Sequence, residues 1–313
     1  MRRIGWSARI CRSRSSYERH RMKRPSAVWT LGAPALFVVL WSSGFTFAKL
    51  GLDEAGPFAL LSLRFMLVIA VLLPVAAFVR PSWPTSRAGW MHVAIVGLLI
   101  QVGNFGGVYV AIAHGVSAGT AGLMSVLQPI LVALLAPRFT GERVDARVWL
   151  GLVLGLVGAA LVIFARSAFA APPIFGLSAA AFAVVAMTSA TLYERRFGTA
   201  VHVISANIIQ CGVGLVVVVP LAFVLEGFTV TWTPKLALAL AYLVLANSLV
   251  AVTLLLAMVR RGQASATASL FFLVPPMSAL VAWLLAREVL PPLGWVGMLF
   301  AAVGVALVRV RRA

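Results

Sequence analysis

The chain has 313 residues, of which 62% are hydrophobic and 11% charged, with a mean hydropathy of +1.01; an ordinary soluble domain carries roughly 25% charged residues, so a soluble globular class is excluded. The net charge of +18 suggests nucleic acid, but the basic residues gather in one terminal tail and at the flanks of apolar runs, where membrane orientation requires them, so no nucleic-acid partner is expected. Two cysteines, Cys11 in the tail and Cys211 inside an apolar run, exclude a disulfide framework and a metal cluster, and neither a metal nor a cofactor is expected.

In chain order, residues 1–30 come first, with nine of the 26 basic residues in "MRRIGWSARICRSRSSYERHRMKR". They read as a basic cytoplasmic tail. Three explanations fit it: binding to anionic lipid, a disordered extension, or a start set too early, since "MKRPSAVWTLGAPALFVVLW" from Met22 begins like a membrane-protein N-terminus. No A-x-A-like site follows a short apolar core, which argues against a cleaved signal peptide. Ten apolar runs follow, at about 33–52, 57–79, 91–113, 117–136, 147–165, 174–194, 203–225, 236–258, 264–286 and 292–310. Each is long enough to cross a bilayer as a helix, and too long for a barrel strand. The expectation is an all-α polytopic membrane protein with ten transmembrane helices, embedded in the lipid bilayer.

The first run carries Trp41, Ser42, Ser43 and Gly44 in "WSSGF", with Trp41 about eight residues or ~12 Å deep. Seven of the other tryptophans lie near span ends, as interfacial tryptophans do. The stretch reads as a cavity wall with a stacking face, or as close helix packing through small residues. The second run holds Arg64, ~10 Å below the outer end. A charge at that depth marks a functional site or a structural pair. Its partner is either an acidic group on a substrate or helix-end carbonyls, with outward snorkelling as a third outcome. Further mid-span polar residues are Gln101, Asn104, Gln128, Thr188, Asn207, Gln210, Asn247 and Ser248. Phe45, Phe105, Tyr109, Tyr193 and Phe271 lie beside them. From these, Gln101, Asn104, Gln128, Tyr193, Asn207 and Phe271 join Trp41, Ser42, Ser43 and Arg64 as candidate substrate-binding residues; each has interhelical hydrogen bonding or packing as its alternative role.

Sliding the chain by 146 residues lays "SVLQPILVALLAPRFTGERVDARVWLGLVLGLVGAALV" (125–162) on "FFLVPPMSALVAWLLAREVLPPLGWVGMLFAAVGVALV" (271–308) without a gap. Pro129 meets Pro275, Glu142 meets Glu288, Trp149 meets Trp295, and Gly151 and Gly158 meet Gly297 and Gly304. Two halves of five helices follow, 31–165 and 174–310. Five is odd, so the second half enters from the opposite side. That is the plan of inverted repeats, whose substrate site lies near midplane. Pro129 and Pro275 are candidate hinges of two gates, or static kinks filled by a neighbour. Glu142 and Glu288 are suited to capping the next helix. The glycines of "GLVLGLVG" (151–158) fit close packing, either within the fold or between copies in a homodimer.

The duplicated five-helix unit, "WSSGF" followed by Lys49, "PFALLSLRF", and the Pro-to-Glu-to-Gly pattern resemble the EamA-type carriers of the drug/metabolite transporter superfamily. The resemblance covers the chain after about residue 30. It implies export of amino acids and other metabolites, or movement of nucleosides, vitamins or drugs; the substrate is not specified by it.

With the N-terminus inside, inner segments hold 21 basic residues and outer segments four, so both termini are expected in the cytoplasm of a plasma or inner membrane. No paired carboxylates, Ser–His pair or nucleotide loop occurs at span depth, so no enzyme is expected. A secondary-active exporter working by alternating access is the leading reading, and a channel or lipid-handling protein is the alternative. The eight acids all lie in the tail, in loops or at span ends. A lipophilic-cation carrier needs a buried carboxylate. The expected substrate is therefore a neutral, zwitterionic or anionic small molecule, amino-acid-like by preference, with Arg64 facing its acidic group and Trp41 its apolar part.

Overall fold

The computed structural model describes residues 32–116, 118–139, 141, 145–164, 173–198, 201–261, 267–277, 280 and 292–309. Up to Ala35 only the first turn of the first helix is described, and the rest of this account concerns Leu36 onward.

The regular structure among the described residues is helical, without a strand; a single isolated bridge joins Ala55 to Val230. Ten helical segments follow in order: α1 (Ala33–Leu52), α2 (Pro57–Val79), α3 (Arg87–Ala113), α4 in two pieces, α4a (Ala118–Ser125) and α4b (Leu127–Phe139), α5 (Ala146–Phe164), α6 (Ile174–Phe197), α7 (Val203–Glu226), α8 (Pro234–Arg261), α9 (267–277, with a tight 3-10 stretch at Ser269–Leu273) and α10 (Pro292–Arg309). Six of them, α1, α2, α3, α6, α7 and α8, are long and apolar enough to cross a membrane by themselves. The expectation of ten transmembrane helices is thus met in part. The run at 117–136 is no single helix, because a turn at Val126 divides it. Pro129 lies in the first turn of α4b, where a missing N–H costs little. Pro275 follows the 3-10 stretch of α9 in the same way. Each proline thus follows a local departure from α-helix, a turn at Val126 ahead of Pro129 and the 3-10 stretch Ser269–Leu273 ahead of Pro275. The acids Glu142 and Glu288 lie outside the described residues.

Caps explain several boundaries. Ser86 Oγ accepts from Gly89 N at the start of α3, and Thr233 Oγ1 from Leu236 N at the start of α8, where Pro234 takes the first helical position. The α2 N-terminus has no cap of its own. Glu226, at the far end of α7, supplies it: its two oxygens accept from Phe58 N (2.8 Å) and Ala59 N (2.9 Å). An acid here satisfies orphan donors and complements the helix dipole.

Helices pack against their repeat mates. α2 lies along α7, and α5 along α10. Both pairs run antiparallel. At one end of α2 Phe58 meets Glu226, and further along Phe65 meets Gly214. In the α5–α10 pair a Cβ on Gly151 would come within 2.7 Å of the Gly304 carbonyl, and one on Gly158 within 2.6 Å of the Gly297 carbonyl. These glycines bring two backbones into direct contact, so the seam of "GLVLGLVG" is filled within the fold.

α3 and α8 share a second feature. Each contains nine residues of π-helix, Leu98–Gly106 and Leu243–Ala251. Such stretches are rare beyond a single turn and concentrate at functional sites. They lie in corresponding places of the two halves.

Candidate functional site

The two π-helical stretches, α1, α2, α4, α6 and the 3-10 stretch of α9 line a cavity with about 570 Å³ of free space including its opening. Trp41, Arg64, Asn104, Gln128 and Phe271, five of the ten expected binding residues, form part of its wall.

Arg64 is fully buried. Its Nε donates to Ser248 Oγ (2.7 Å), Nη1 to Tyr109 Oη (2.9 Å) and Nη2 to Asn247 Oδ1 (2.6 Å). The guanidinium also lies 4.0 Å from the centre of the Phe105 ring, a cation–π contact. So Arg64 is held by neutral side chains rather than by helix-end carbonyls, and it does not snorkel. Among the described residues no carboxylate stands within ion-pair distance of it. A guanidinium has five N–H donors, and three are used. One N–H on each terminal nitrogen has no acceptor among the described residues.

Its partners are themselves fixed. Asn207 Nδ2 donates to the Ser248 carbonyl (2.9 Å), and Asn247 Nδ2 lies against α1, reaching the Leu40 carbonyl (3.4 Å). Gly44 permits this, since a Cβ there would come within 2.5 Å of that Nδ2. The small residue in "WSSGF" thus admits another helix's amide. Trp41 packs against Phe37, Phe105 and Phe271, with ring centres 5.3, 5.7 and 5.4 Å away. The cavity therefore has a cationic corner and an aromatic wall. Asn104, nine-tenths buried, makes no side-chain hydrogen bond among the described residues and offers both donor and acceptor to the space.

The other expected residues fall elsewhere. Ser42 and Ser43 bond back to the carbonyls of Val38 and Val39 in their own helix. Tyr193 shares a 2.7 Å hydrogen bond with His92, away from the cavity wall. Asn207 acts one step removed, by bracing Ser248. Gln101 is buried behind the wall between α3 and α7. Conversely, Phe45, Phe105, Tyr109 and Asn247 line the cavity, and Ser248 holds Arg64, although none was chosen from the sequence. The signal was present: an arginine at that depth without an acid needs amide or hydroxyl acceptors, and Asn247 and Ser248 are adjacent.

Gln101 has its own significance. The 146-residue shift carries Arg64 onto Gln210 and Gln101 onto Asn247. The Arg64–Asn247 contact between α2 and α8 is thus mirrored by Gln210 and Gln101 on α7 and α3. There Gly97 faces Gln210 and Gly214 faces Gln101. Both amide atoms of Gln210 and Oε1 of Gln101 are buried without a partner among the described residues. Such atoms cost about 1–3 kcal/mol each. Gln210→Met keeps the length and removes them, so it should raise the thermal midpoint of the purified protein by a few degrees. A lowered midpoint would mean that the amide is hydrogen-bonded to bound water.

Two sets of ties lie at opposite ends of α8. At its start Lys235 pairs with Asp53 (2.5 Å), and Thr231 N donates to the Glu54 carbonyl (2.8 Å). At its end Arg260 pairs with the buried Glu194 and donates to the Val201 carbonyl (2.6 Å).

A model of the EamA-like transporter family matches the chain twice, over residues 29–164 and 174–310. A "Probable terminal-alkyne amino-acid exporter" of Streptantibioticus cattleyicolor is 30% identical over 302 residues, covering 93% of this chain and 95% of its own. A "Probable amino-acid metabolite efflux pump" of Escherichia coli is 33% identical over 129 residues, 41% of this chain and 40% of its own. A solved crystal structure superposes with a TM-score of 0.71 at 22% identity, over 88% of this chain and 94% of that one, which shows the shared fold alone. With two copies of the family's domain, this chain belongs to the EamA-like transporter family and is a multi-pass membrane transporter, not an enzyme.

Proposed function

We propose that this chain is a secondary-active exporter of small carboxylated metabolites, amino-acid-like in size, working by alternating access between two inverted five-helix halves, 31–165 and 174–310, behind a cytoplasmic tail of 1–30. The observation that carries the substrate reading is Arg64: a fully buried guanidinium in the cavity wall, fixed by three neutral partners and short of an anion. A buried charge without a counter-ion is costly, and a substrate carboxylate supplies one. The aromatic wall around Trp41 receives the apolar part. Relatives named as exporters or efflux pumps of amino-acid compounds support the same class and direction.

Alternating access draws support from the antiparallel packing of the repeat mates and from the interruptions of α-helix ahead of Pro129 and Pro275. The Asp53–Lys235 and Glu194–Arg260 ties, at opposite ends of α8, are the contacts that each gate would break in turn. The basic-residue bias puts both termini and Glu194 on the cytoplasmic side of the plasma or inner membrane.

Counterflow in proteoliposomes tests the carrier. A labelled amino acid or acyl amino acid should enter faster when unlabelled compound is present inside. Uptake indifferent to the inner compound would indicate a channel. For orientation, a cysteine at residue 289 should react with a membrane-impermeant thiol reagent on intact cells and one at 143 should not; the reverse would invert the gates.

A further inference from the structure

Among the described residues the cavity wall holds one cation, Arg64, and no anion. Asp53 and Glu54 are engaged by Lys235, Glu194 is paired with Arg260, Glu226 is spent on the first amides of α2, and Asp145 is exposed at the start of α5. Among the described residues no acid therefore lines the cavity or remains free to reach into it. A zwitterion would bring its carboxylate to Arg64 and leave its ammonium a few ångströms away with no anion to receive it. The site would keep a net positive charge in surroundings of low dielectric, where like charges repel strongly. A monoanion leaves the site neutral.

The polar groups near the cation point the same way. The face of Phe105 is already taken by Arg64, which leaves one aromatic fewer to hold a second cation. Asn104 offers a carboxamide with donor and acceptor both free. An ammonium would use its oxygen alone. A substrate amide or hydroxyl, donor and acceptor in one group, would use both ends.

We infer that the preferred substrates are amino-acid-derived monoanions whose amine is acylated or replaced by a hydroxyl: N-acyl amino acids and 2-hydroxy acids, with an apolar side chain against Trp41 and Phe271. This rests on the carrier reading of the Arg64 cavity.

The full chain in proteoliposomes is tested by counterflow with four compounds that share one side chain: phenylalanine, N-acetylphenylalanine, 3-phenyllactate and N-acetylphenylalanine amide. The two monoanions should show an apparent affinity at least tenfold tighter than phenylalanine, and the amide should exchange weakest. In Arg64→Ala the advantage of the monoanions over the amide should collapse. If phenylalanine matches or exceeds both monoanions while the amide stays weak, the monoanion preference is wrong and Arg64 still reads a carboxylate. If the amide exchanges as well as N-acetylphenylalanine, the carboxylate reading of Arg64 itself fails.

Discussion

Arg64→Ala should weaken binding of a carboxylated substrate by roughly thirtyfold or more while leaving its amide analogue within a few-fold. Truncating one partner of a desolvated, hydrogen-bonded charge pair costs about 2–5 kcal/mol, and every 1.4 kcal/mol is a factor of ten. The protein itself should survive the change. Asn247, Ser248 and Tyr109 lose a donor, but a lone buried charge is removed at the same time, which offsets that cost. Arg64→Lys separates charge from geometry. Lysine keeps the charge, but its single ammonium cannot span Ser248, Tyr109 and Asn247 and also present two N–H groups to a carboxylate. Its loss should therefore fall between those of wild type and Ala. Equilibrium binding of the acid and its amide to detergent-solubilised protein measures all of this. Equal losses for acid and amide would reduce Arg64 to a structural role.

Gly158→Leu should be the most damaging single change outside the cavity. Its Cα faces α10 so closely that even a methyl group would lie within 3 Å of backbone atoms of Gly297 and Ala301. Neither partner is a flexible side-chain tip, so the helices must separate. Overpacking costs about 1–3 kcal/mol in an adaptable core, and membrane helices held by close backbone approach adapt less. Membrane-inserted, monodisperse protein should be nearly absent by fluorescence-detected size-exclusion chromatography. Leu150→Val, on the exposed face of α5, should behave as wild type. If Gly158→Leu runs at wild-type level, the α5–α10 seam is not a close contact in the membrane.

Much of the fold was legible because a bilayer leaves few options. Long apolar runs must be helices there, and the ungapped match of 125–162 with 271–308 marked the halves. The interruptions were harder. Pro129 signalled a weak point in the fourth run, but the turn sits at Val126, since a proline is tolerated in a first turn and the break precedes it. Nothing in "LLIQVGNFG" or "LVLANSLVA" separates a π-helix from an α-helix, because the two differ by one hydrogen-bond register and both stretches are apolar enough for either.

The candidate site divides in the same way. Arg64 and Trp41 stood out because depth makes a charge or a solitary tryptophan anomalous. Ser42 and Ser43 misled, since a hydroxyl in a helix can satisfy itself on the preceding turn, and no pattern of spacing reveals that. Gln101 and Asn104 sit three residues apart, yet only Asn104 reaches the cavity; the widened π-helical turn sets which of them faces it. Asn247 and Ser248 gain meaning only when α8 is placed beside Arg64, a contact across 183 residues of sequence.

The central claim is that the Arg64 cavity is where substrate binds. Ser125 lines it and can be replaced by cysteine, with Cys11→Ala and Cys211→Ala removing the native thiols. Alkylation of Ser125→Cys by a small maleimide should block counterflow, and saturating N-acetylphenylalanine should slow that alkylation at least fivefold in the Arg64 protein but not in Arg64→Ala. Alkylation that leaves transport intact, or that proceeds at one rate with and without substrate, would contradict the assignment of this cavity as the transport site.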